Sequence, residues 1–160
     1  MKTRMILVSV LAGLHLAAHA GPVAKITLVE GKASVLREGS EKWRPARPNM
    51  PLAVGDQLYT RAESFVEIRY EVGAVVRLNE ESKIAVEAAG EKGVKTRQSL
   101  GDVWVNMKKL TRSSKSFDMA SPTAVASIRG TSYRMTTDAD SSTDVNVFGG
   151  KVAVGPSDAL

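Results

Sequence analysis

The sequence predicts an all-β protein, and three observations carry this prediction. The chain after residue 20 contains 17 Val and 4 Ile against 8 Leu, and β-branched residues fit a pleated strand better than a helix. Apolar residues alternate along Phe65–Tyr70, which places Val66, Ile68 and Tyr70 on one face. Glycines punctuate such runs along the chain. We therefore expect about ten or more short strands.

The first segment of the chain is predicted to be a signal peptide rather than part of the fold. Lys2 and Arg4 precede an apolar run over residues 5–18, and Ala18-His19-Ala20 follows as an A-x-A cleavage site. The alternative is an uncleaved membrane anchor, but the run is shorter than the roughly 20 apolar residues that a bilayer requires. We expect cleavage after Ala20, with Ala18 and Ala20 as the small residues of the site.

Cleavage there would remove both histidines of a chain that has no cysteine. A mature chain of residues 21–160 cannot form a Ser-His-Asp triad, a cysteine nucleophile, a disulfide or a zinc site of His or thiolate ligands. Carboxylate, Lys or Ser chemistry remains, and the acid pair Glu80-Glu81 is one example of adjacent carboxylates. We expect a protein that is not an enzyme and that has no cofactor and no metal, with a carboxylate-dependent enzyme as a minor alternative.

Removal of Lys2 and Arg4 reduces the 22 basic residues to 20 against 17 acidic ones, which leaves a net charge of +3. The strongest local excess of charge lies in one predicted loop. Four cations occur there within eight residues that contain no acid. They are Lys108, Lys109, Arg112 and Lys115. This basic loop is a candidate anion-binding site, and a solvated loop is the alternative. The absence of interleaved aromatic residues, together with export, argues against nucleic acid.

A short pattern, G-x-[AV]-x-V, opens three predicted strands. It occurs at Gly31–Val35, Gly101–Val105 and Gly150–Val154. The starts lie 70 and 49 residues apart, so the pattern has no fixed period. It predicts strand entries and does not indicate a regular repeat.

Three prolines follow Trp43 at intervals of three residues, at Pro45, Pro48 and Pro51. Polyproline II has three residues per turn, so this spacing would place all three on one face. One interpretation is a docking strip for another protein. The favoured interpretation is an extended connection held on the domain by Trp43.

The most distinctive stretch is Ala120–Tyr133. Pro122 disfavours a central paired position, and Gly130 allows a backbone conformation that is closed to other residues. Arg129 would be costly to bury alone, so it should be paired or exposed. These features predict a structural corner. Further along, the polar run Asp138–Asp144 lies between two strand patterns and predicts a hairpin tip.

The pattern S-P-x-A-x-A-x-x-R-G-T at Ser121–Thr131 resembles the FecR domain family, whose members usually have Thr at the first position. Further landmarks follow in the family's order from Val23 to Val154. The matching residues, which we expect to be structural, are Gly55, Asp56, Gly101, Trp104, Pro122, Arg129, Gly130, Thr131 and Gly150. The resemblance implies a FecR-like domain at residues 21–155, after the signal peptide at 1–20 and before a tail at 156–160.

The resemblance also implies a fold and a setting. The fold would be a right-handed β-roll or β-helix-like stack of short strands, with a β-sandwich as the alternative. The best-known members sense an outer-membrane receptor and control a sigma factor. Because the predicted signal begins at residue 1, we expect only the extracytoplasmic module here, which puts direct control of a sigma factor in doubt.

These observations favour a periplasmic or secreted protein with no transmembrane segment after cleavage. We expect a binding or signalling-accessory domain that contacts an envelope protein, because open β stacks present edge backbone to which another strand can pair. The alternative is a module that binds a cell-envelope glycan or another polyanion through the basic loop.

Overall fold

The structure is a computed structural model that describes residues 21–108 and 115–157. These residues form strands and turns, with no helix among them, so the all-β prediction is confirmed. The strands are β1 Ala24–Glu30, β2 Ala33–Leu36, β3 Arg44–Pro45, β4 Pro51–Leu52, β5 Gln57–Thr60, β6 Phe65–Tyr70, β7 Ala74–Leu78, β8 Lys83–Gly90, β9 Gly93–Met107, β10 Ser116–Ala120, β11 Ala124–Ile128, β12 Ser132–Thr137, β13 Thr143–Gly149 and β14 Val152–Pro156.

The strands make one curled sheet that bends at β9, the longest described strand with 15 residues. Residues 93–100 of β9 pair with β8 and β10, whereas residues 101–107 pair with β7 and β12. We call the two parts half B, in the order β3-β2-β5-β8-β9-β10-β11-β14, and half A, in the order β4-β1-β6-β7-β9-β12-β13. Described pairs are antiparallel except β9 with β10, which is parallel.

The two halves face each other across an apolar core. Tyr70 of half A packs edge-on against Phe117 of half B, with ring centroids 4.9 Å apart. The Tyr70 hydroxyl, which is fully buried, accepts a hydrogen bond from the Thr96 hydroxyl at 3.1 Å. The alternation predicted for Phe65–Tyr70 is observed, because Val66, Ile68 and Tyr70 are buried.

The chain crosses between the halves at tight corners, and three of these corners share one construction. In each, a glycine with positive φ abuts a Ser or Thr of the neighbouring corner so closely that a Cβ on the glycine would collide with the hydroxyl. The glycines are Gly31, Gly101 and Gly150, with φ of 73°, 92° and 88°. The hydroxyl residues are Ser64, Ser82 and Thr131.

Each hydroxyl also bonds the backbone of the residue that follows the glycine. Ser64 and Ser82 accept the N–H of Lys32 and Asp102 at 2.8 Å. Thr131 donates to the carbonyl of Lys151 at 2.8 Å. The residue before each hydroxyl has positive φ as well, namely Glu63 at 52°, Glu81 at 50° and Gly130 at 75°. The three G-x-[AV]-x-V strands therefore begin at equivalent corners, although their spacing in the sequence is irregular.

Candidate functional site

One end of the curled sheet is closed by a short segment of the chain. The edge strands there, β3 and β4, have two residues each and contain Pro45 and Pro51. The residues between them bond both halves, since the Ala46 N–H donates to the Ala33 carbonyl at 2.9 Å and the Asn49 N–H to the Ile26 carbonyl at 2.8 Å. Short strands and prolines prevent further pairing at a sheet edge. We call this region the closed end.

The proline-rich segment is thus a connection between β3 and β4, as the favoured interpretation held, but it is not extended throughout, because the chain turns at Pro48 and Asn49, where Asn49 has φ of 68°. Trp43, the expected anchor, is 42% exposed, and the Lys83 ammonium lies 5.7 Å from the centroid of its ring. Ala46 and Leu52 are the buried residues of this segment.

The other end of the sheet, which we call the open end, is formed by β13 and β14. Within the described part of the chain, β13 pairs only with β12 and β14 only with β11. The two strands contain seven and five residues, and Asp144 is the one charged residue in them. Pro156, the last residue of β14, is the one proline. Both strands therefore present a nearly uncharged edge with unpaired backbone groups.

Two valines of the open end point toward the core side but remain exposed. Val147 lies opposite Tyr133 and Val154 lies opposite Ala126, and both opposing residues are completely buried. Opposed residues of an antiparallel ladder share a face. Val147 and Val154 are nevertheless 47% and 54% exposed, because no described strand lies beyond them. The apolar interior of the sheet is uncovered at this end.

An aromatic pair borders the open end on the outer face of half A. A β-bulge in the β12–β13 ladder leaves Phe148 without an opposite residue. Its ring stacks on Trp104 with centroids 4.8 Å apart and planes 5° from parallel. The two residues are 59% and 40% exposed, so they add a second apolar surface next to the free edge of β13.

Arg134 lies beside this aromatic pair. Its Nε and Nη2 donate to Oδ1 and Oδ2 of Asp102 at 2.6 and 2.8 Å, and its guanidinium carbon lies 5.7 Å from the centroid of the Trp104 ring. The hydrogen bond and the charge of Asp102 raise the pKa of Arg134 above its usual value. The Arg134 charge is thereby balanced within the chain, next to the Trp104 ring.

The titratable groups with strongly shifted pKa values lie in the core and not at the open end. Burial raises the pKa of Tyr70 to about 12, against the opposing effect of the Thr96 hydrogen bond. Burial also raises the pKa of Tyr133. Residues 21–108 and 115–157 contain no group of three or more His, Cys, Asp or Glu side chains that could hold a metal ion. The geometry of the open end suits contact with another chain, through backbone pairing and apolar burial.

The predicted basic loop is only partly described by the structure. Lys108 follows β9 and Lys115 precedes β10, and both side chains are exposed. Lys109 and Arg112 lie outside the described residues, as do Ala18 and Ala20 of the predicted cleavage site.

The motif residues lie in several places rather than in one site. Asp56 is buried in a turn, where it pairs with Arg37 at 2.5 Å and accepts the Ala53 N–H at 2.9 Å. Gly55 beside it has φ of 89°. Gly101, Gly130, Thr131 and Gly150 form the corners described above. Trp104 belongs to the open end, while Pro122 and Arg129 are exposed.

Sequence reasoning did not single out Val147, Phe148 and Val154 as site residues. Val145 and Val147 alternate as in a strand, as do Val152 and Val154, and the same alternation occurs in the buried pair Val103 and Val105. The available signal was the near absence of charge from two successive strands, which is unusual for strands at an edge.

Comparison with known proteins supports one family. The family model for FecR protein matches residues 56–153. No curated protein sequence matches the chain. Within the described residues, no helix is long and apolar enough to cross a membrane.

Among solved structures, the fold is similar to the crystal structure of a candidate anti-sigma factor from Parabacteroides distasonis ATCC 8503. The TM-score is 0.56 at 17% sequence identity, and the match covers 64% of this chain. The chain spans about half of that protein, 48% of its length. The similarity shows a shared fold. The family match extends over more than half of the chain and includes the corner residues Gly101, Gly130 and Thr131, and the chain therefore belongs to the FecR family.

Proposed function

We propose that this chain is a non-enzymatic binding domain that takes part in signalling at the cell envelope, and that it contacts an envelope protein by strand pairing at the open end. The observation that carries the proposal is the pair of free, nearly uncharged edges on β13 and β14, with Val147 and Val154 exposed between them.

Strand addition at this end has a clear physical basis. An incoming extended segment would satisfy the unpaired backbone groups of β13 or β14, and its alternate side chains would cover the exposed valines. Burial of apolar surface contributes roughly 25 cal/mol per Å² removed from water. Phe148 would contact the outward side chains of the same segment.

The signalling role and the location have separate support. The chain belongs to the FecR family, and the structurally similar protein is a candidate anti-sigma factor. The first twenty residues predict export, which would place the domain in the periplasm or outside the cell. Binding of another protein outside the cytoplasm fits both observations.

Polyanion or glycan binding through the basic loop is the second candidate, and one observation favours it. The Ser116 N–H donates to the Lys92 carbonyl at 2.9 Å, which holds the tip of the β8–β9 hairpin beside the end of the basic loop. Lys92 is exposed, so it would extend the positive surface that includes Lys115.

The test is affinity purification of the tagged chain after crosslinking in intact cells, with envelope proteins identified by mass spectrometry. We expect a specific protein whose recovery is lost with Val147→Lys or Val154→Lys, because a charge on the core side of an edge strand blocks pairing. The matched control is Leu28→Lys on β1, since Leu28 is also exposed, at 39%, but lies away from the open end.

The same experiment separates the two candidates. Replacement of Lys108, Lys109, Arg112 and Lys115 by Ser, or an increase in ionic strength, should leave recovery unchanged if strand pairing and apolar contact dominate. Recovery that disappears with either treatment, while the two valine variants retain it, would contradict the proposal in favour of a polyanion.

A further inference from the structure

We propose that the open end also pairs with the open end of a second copy of this chain, in a reversible two-fold dimer that covers β13 and β14 until an envelope protein displaces it. The inference rests on the proposed function, because it assigns the same surface, and it adds a regulatory state of that surface.

Two-fold symmetry matches the geometry of the open end. A two-fold axis perpendicular to the sheet sets β13 antiparallel to β13 of the second copy, which is the more frequent pairing in sheets. β14 forms the corresponding edge of the facing half. The same axis therefore passes beside β14 and sets it antiparallel to β14 of the second copy. Val147 and Val154 then meet apolar residues of the second copy on the core side.

The two edge strands are suited to pairing with themselves. Asp144 lies near the start of β13, and the residues after it, Val145 to Gly149, carry no charge. Antiparallel self-pairing about Asn146 would place Asp144 opposite Phe148 and Val145 opposite Val147. Like charges therefore do not oppose each other in this register. β14 contains no charged residue at all.

The closed end limits the assembly to two chains. Its two-residue strands with Pro45 and Pro51 offer no edge for pairing. A chain with one receptive end and one blocked end forms a closed dimer, whereas a chain with two receptive ends would form fibres. The contrast between the two ends accounts for how an exposed apolar edge exists without continuous aggregation.

The molecule already contains an analogous contact. Strands β11 and β12, joined at the Gly130 corner, pair edge-to-edge with β14 and β13, joined at the Gly150 corner. The open end presents the outer edges of such a strand pair. A second copy related by the two-fold axis supplies another such strand pair. Its Gly150 corner lies at the opposite end of the strands, and both halves of the sheet continue across the contact by edge pairing alone.

The primary test is sedimentation velocity of the purified chain, with the signal peptide removed, over about a hundredfold range of concentration. Short edge strands bury little area, and interfaces below about 1,200 Å² are typical of transient association, so we expect a concentration-dependent monomer–dimer equilibrium. Val154→Lys should shift the chain to monomer, and Leu28→Lys should not. Circular dichroism and denaturant unfolding establish that each variant is folded. A chain that is monomeric throughout, or a dimer unaffected by Val154→Lys, overturns the proposal.

A second measurement does not depend on a destabilising variant. The chain has no cysteine, so a single introduced cysteine reports one position. Asn146→Cys, near the expected axis, should form an intermolecular disulfide under mild oxidation. Thr27→Cys on β1 should not. Crosslinking at both positions, or at position 27 alone, overturns the two-fold arrangement.

The dimer and the proposed function can fail independently. A monomeric chain that still recovers an envelope protein through Val147 and Val154 refutes the dimer and supports the binding function. A dimer that forms through β13, together with recovery of an envelope protein that is insensitive to the same variants, supports the dimer and refutes the assignment of this surface to the envelope protein.

Discussion

The closed end and the open end of this sheet differ in how their edge strands are covered. At the closed end, Leu52 is 1% exposed and a proline-containing segment bonds both halves. At the open end, Val154 is 54% exposed and no described strand covers it.

The difference shows that the chain contains the means to cover a sheet edge and uses them at one end only. Proline, short strands and a crossing segment are all present at the closed end. Apart from Pro156 at the end of β14, none of these features occurs in the described residues of β13 and β14. A binding function explains this difference, and the predictions below measure it.

The largest effect is expected at the corner in the middle of β9, which joins the two halves. Gly101→Val places a Cβ 2.5 Å from the backbone Cα of Ser82 at a φ of 92°, so we expect a loss of unfolding free energy of more than about 3 kcal/mol. At the open end, Gly150→Val should cost less, because its nearest obstacle is the Thr131 side chain at 2.8 Å. Gly90→Val is the matched control, since no atom lies within 4 Å of its added Cβ. Equal denaturant midpoints for Gly101→Val and Gly90→Val would contradict the close contact between Gly101 and Ser82.

The next effect compares the two ends directly. Leu52→Ala removes a buried side chain at the closed end and should cost about 2–5 kcal/mol of unfolding free energy. Val154→Ala removes a mostly exposed side chain at the open end and should cost less than about 0.5 kcal/mol. Equal costs in urea unfolding would mean that the open end is packed in solution. A cost for Val154→Ala that appears only at high protein concentration would indicate the dimer.

A smaller effect is expected on the pH dependence of stability, from Tyr70 in the core between the two halves. The pKa of Tyr70 is raised to about 12 in the folded chain, so the folded state retains its proton at pH values where the unfolded chain loses it. The stability contributed by the neutral hydroxyl is present below pH 10 and falls as the pH rises from 10 toward 12. Urea unfolding across this range should show the decline, with a shallower slope for Tyr70→Phe. A slope unchanged by Tyr70→Phe would contradict the assigned burial.

The smallest effect concerns the basic loop, of which the structure describes Lys108 and Lys115. Replacement of Lys108, Lys109, Arg112 and Lys115 by Ser should change the unfolding free energy by less than about 0.5 kcal/mol, because charges on a loop contribute little to stability. The denaturant midpoint is the measurement. A change above about 1.4 kcal/mol, which is tenfold in the folding equilibrium, would show that the loop packs on the domain.

Local patterns predicted much of the fold. The alternation at Val66, Ile68 and Tyr70 identified a strand and its buried face, and the glycine-led pattern identified three strand entries. The equivalence of Gly31, Gly101 and Gly150 was not predictable, because the segments between them differ in length. Backbone contacts with Ser64, Ser82 and Thr131 create that equivalence, and the sequence distances do not reveal these contacts.

The open end was not predictable for a related reason. Val145 and Val147 show the same period of two as Val103 and Val105, yet Val147 is 47% exposed and Val103 is completely buried. Burial depends on whether another strand lies beyond, which is set by the order of strands in the sheet. A single sequence specifies this order through many weak long-range contacts and not through a local motif.

The most direct test of the binding account is site-specific photocrosslinking in intact cells from one position at each end. A photoreactive amino acid replaces Asn146 on the free edge of β13 or Arg44 on β3 of the closed end, both of which are exposed. The account predicts an adduct with another envelope protein from position 146 and none from position 44. Adducts from position 44 alone, or no adduct with another protein from position 146, would contradict it.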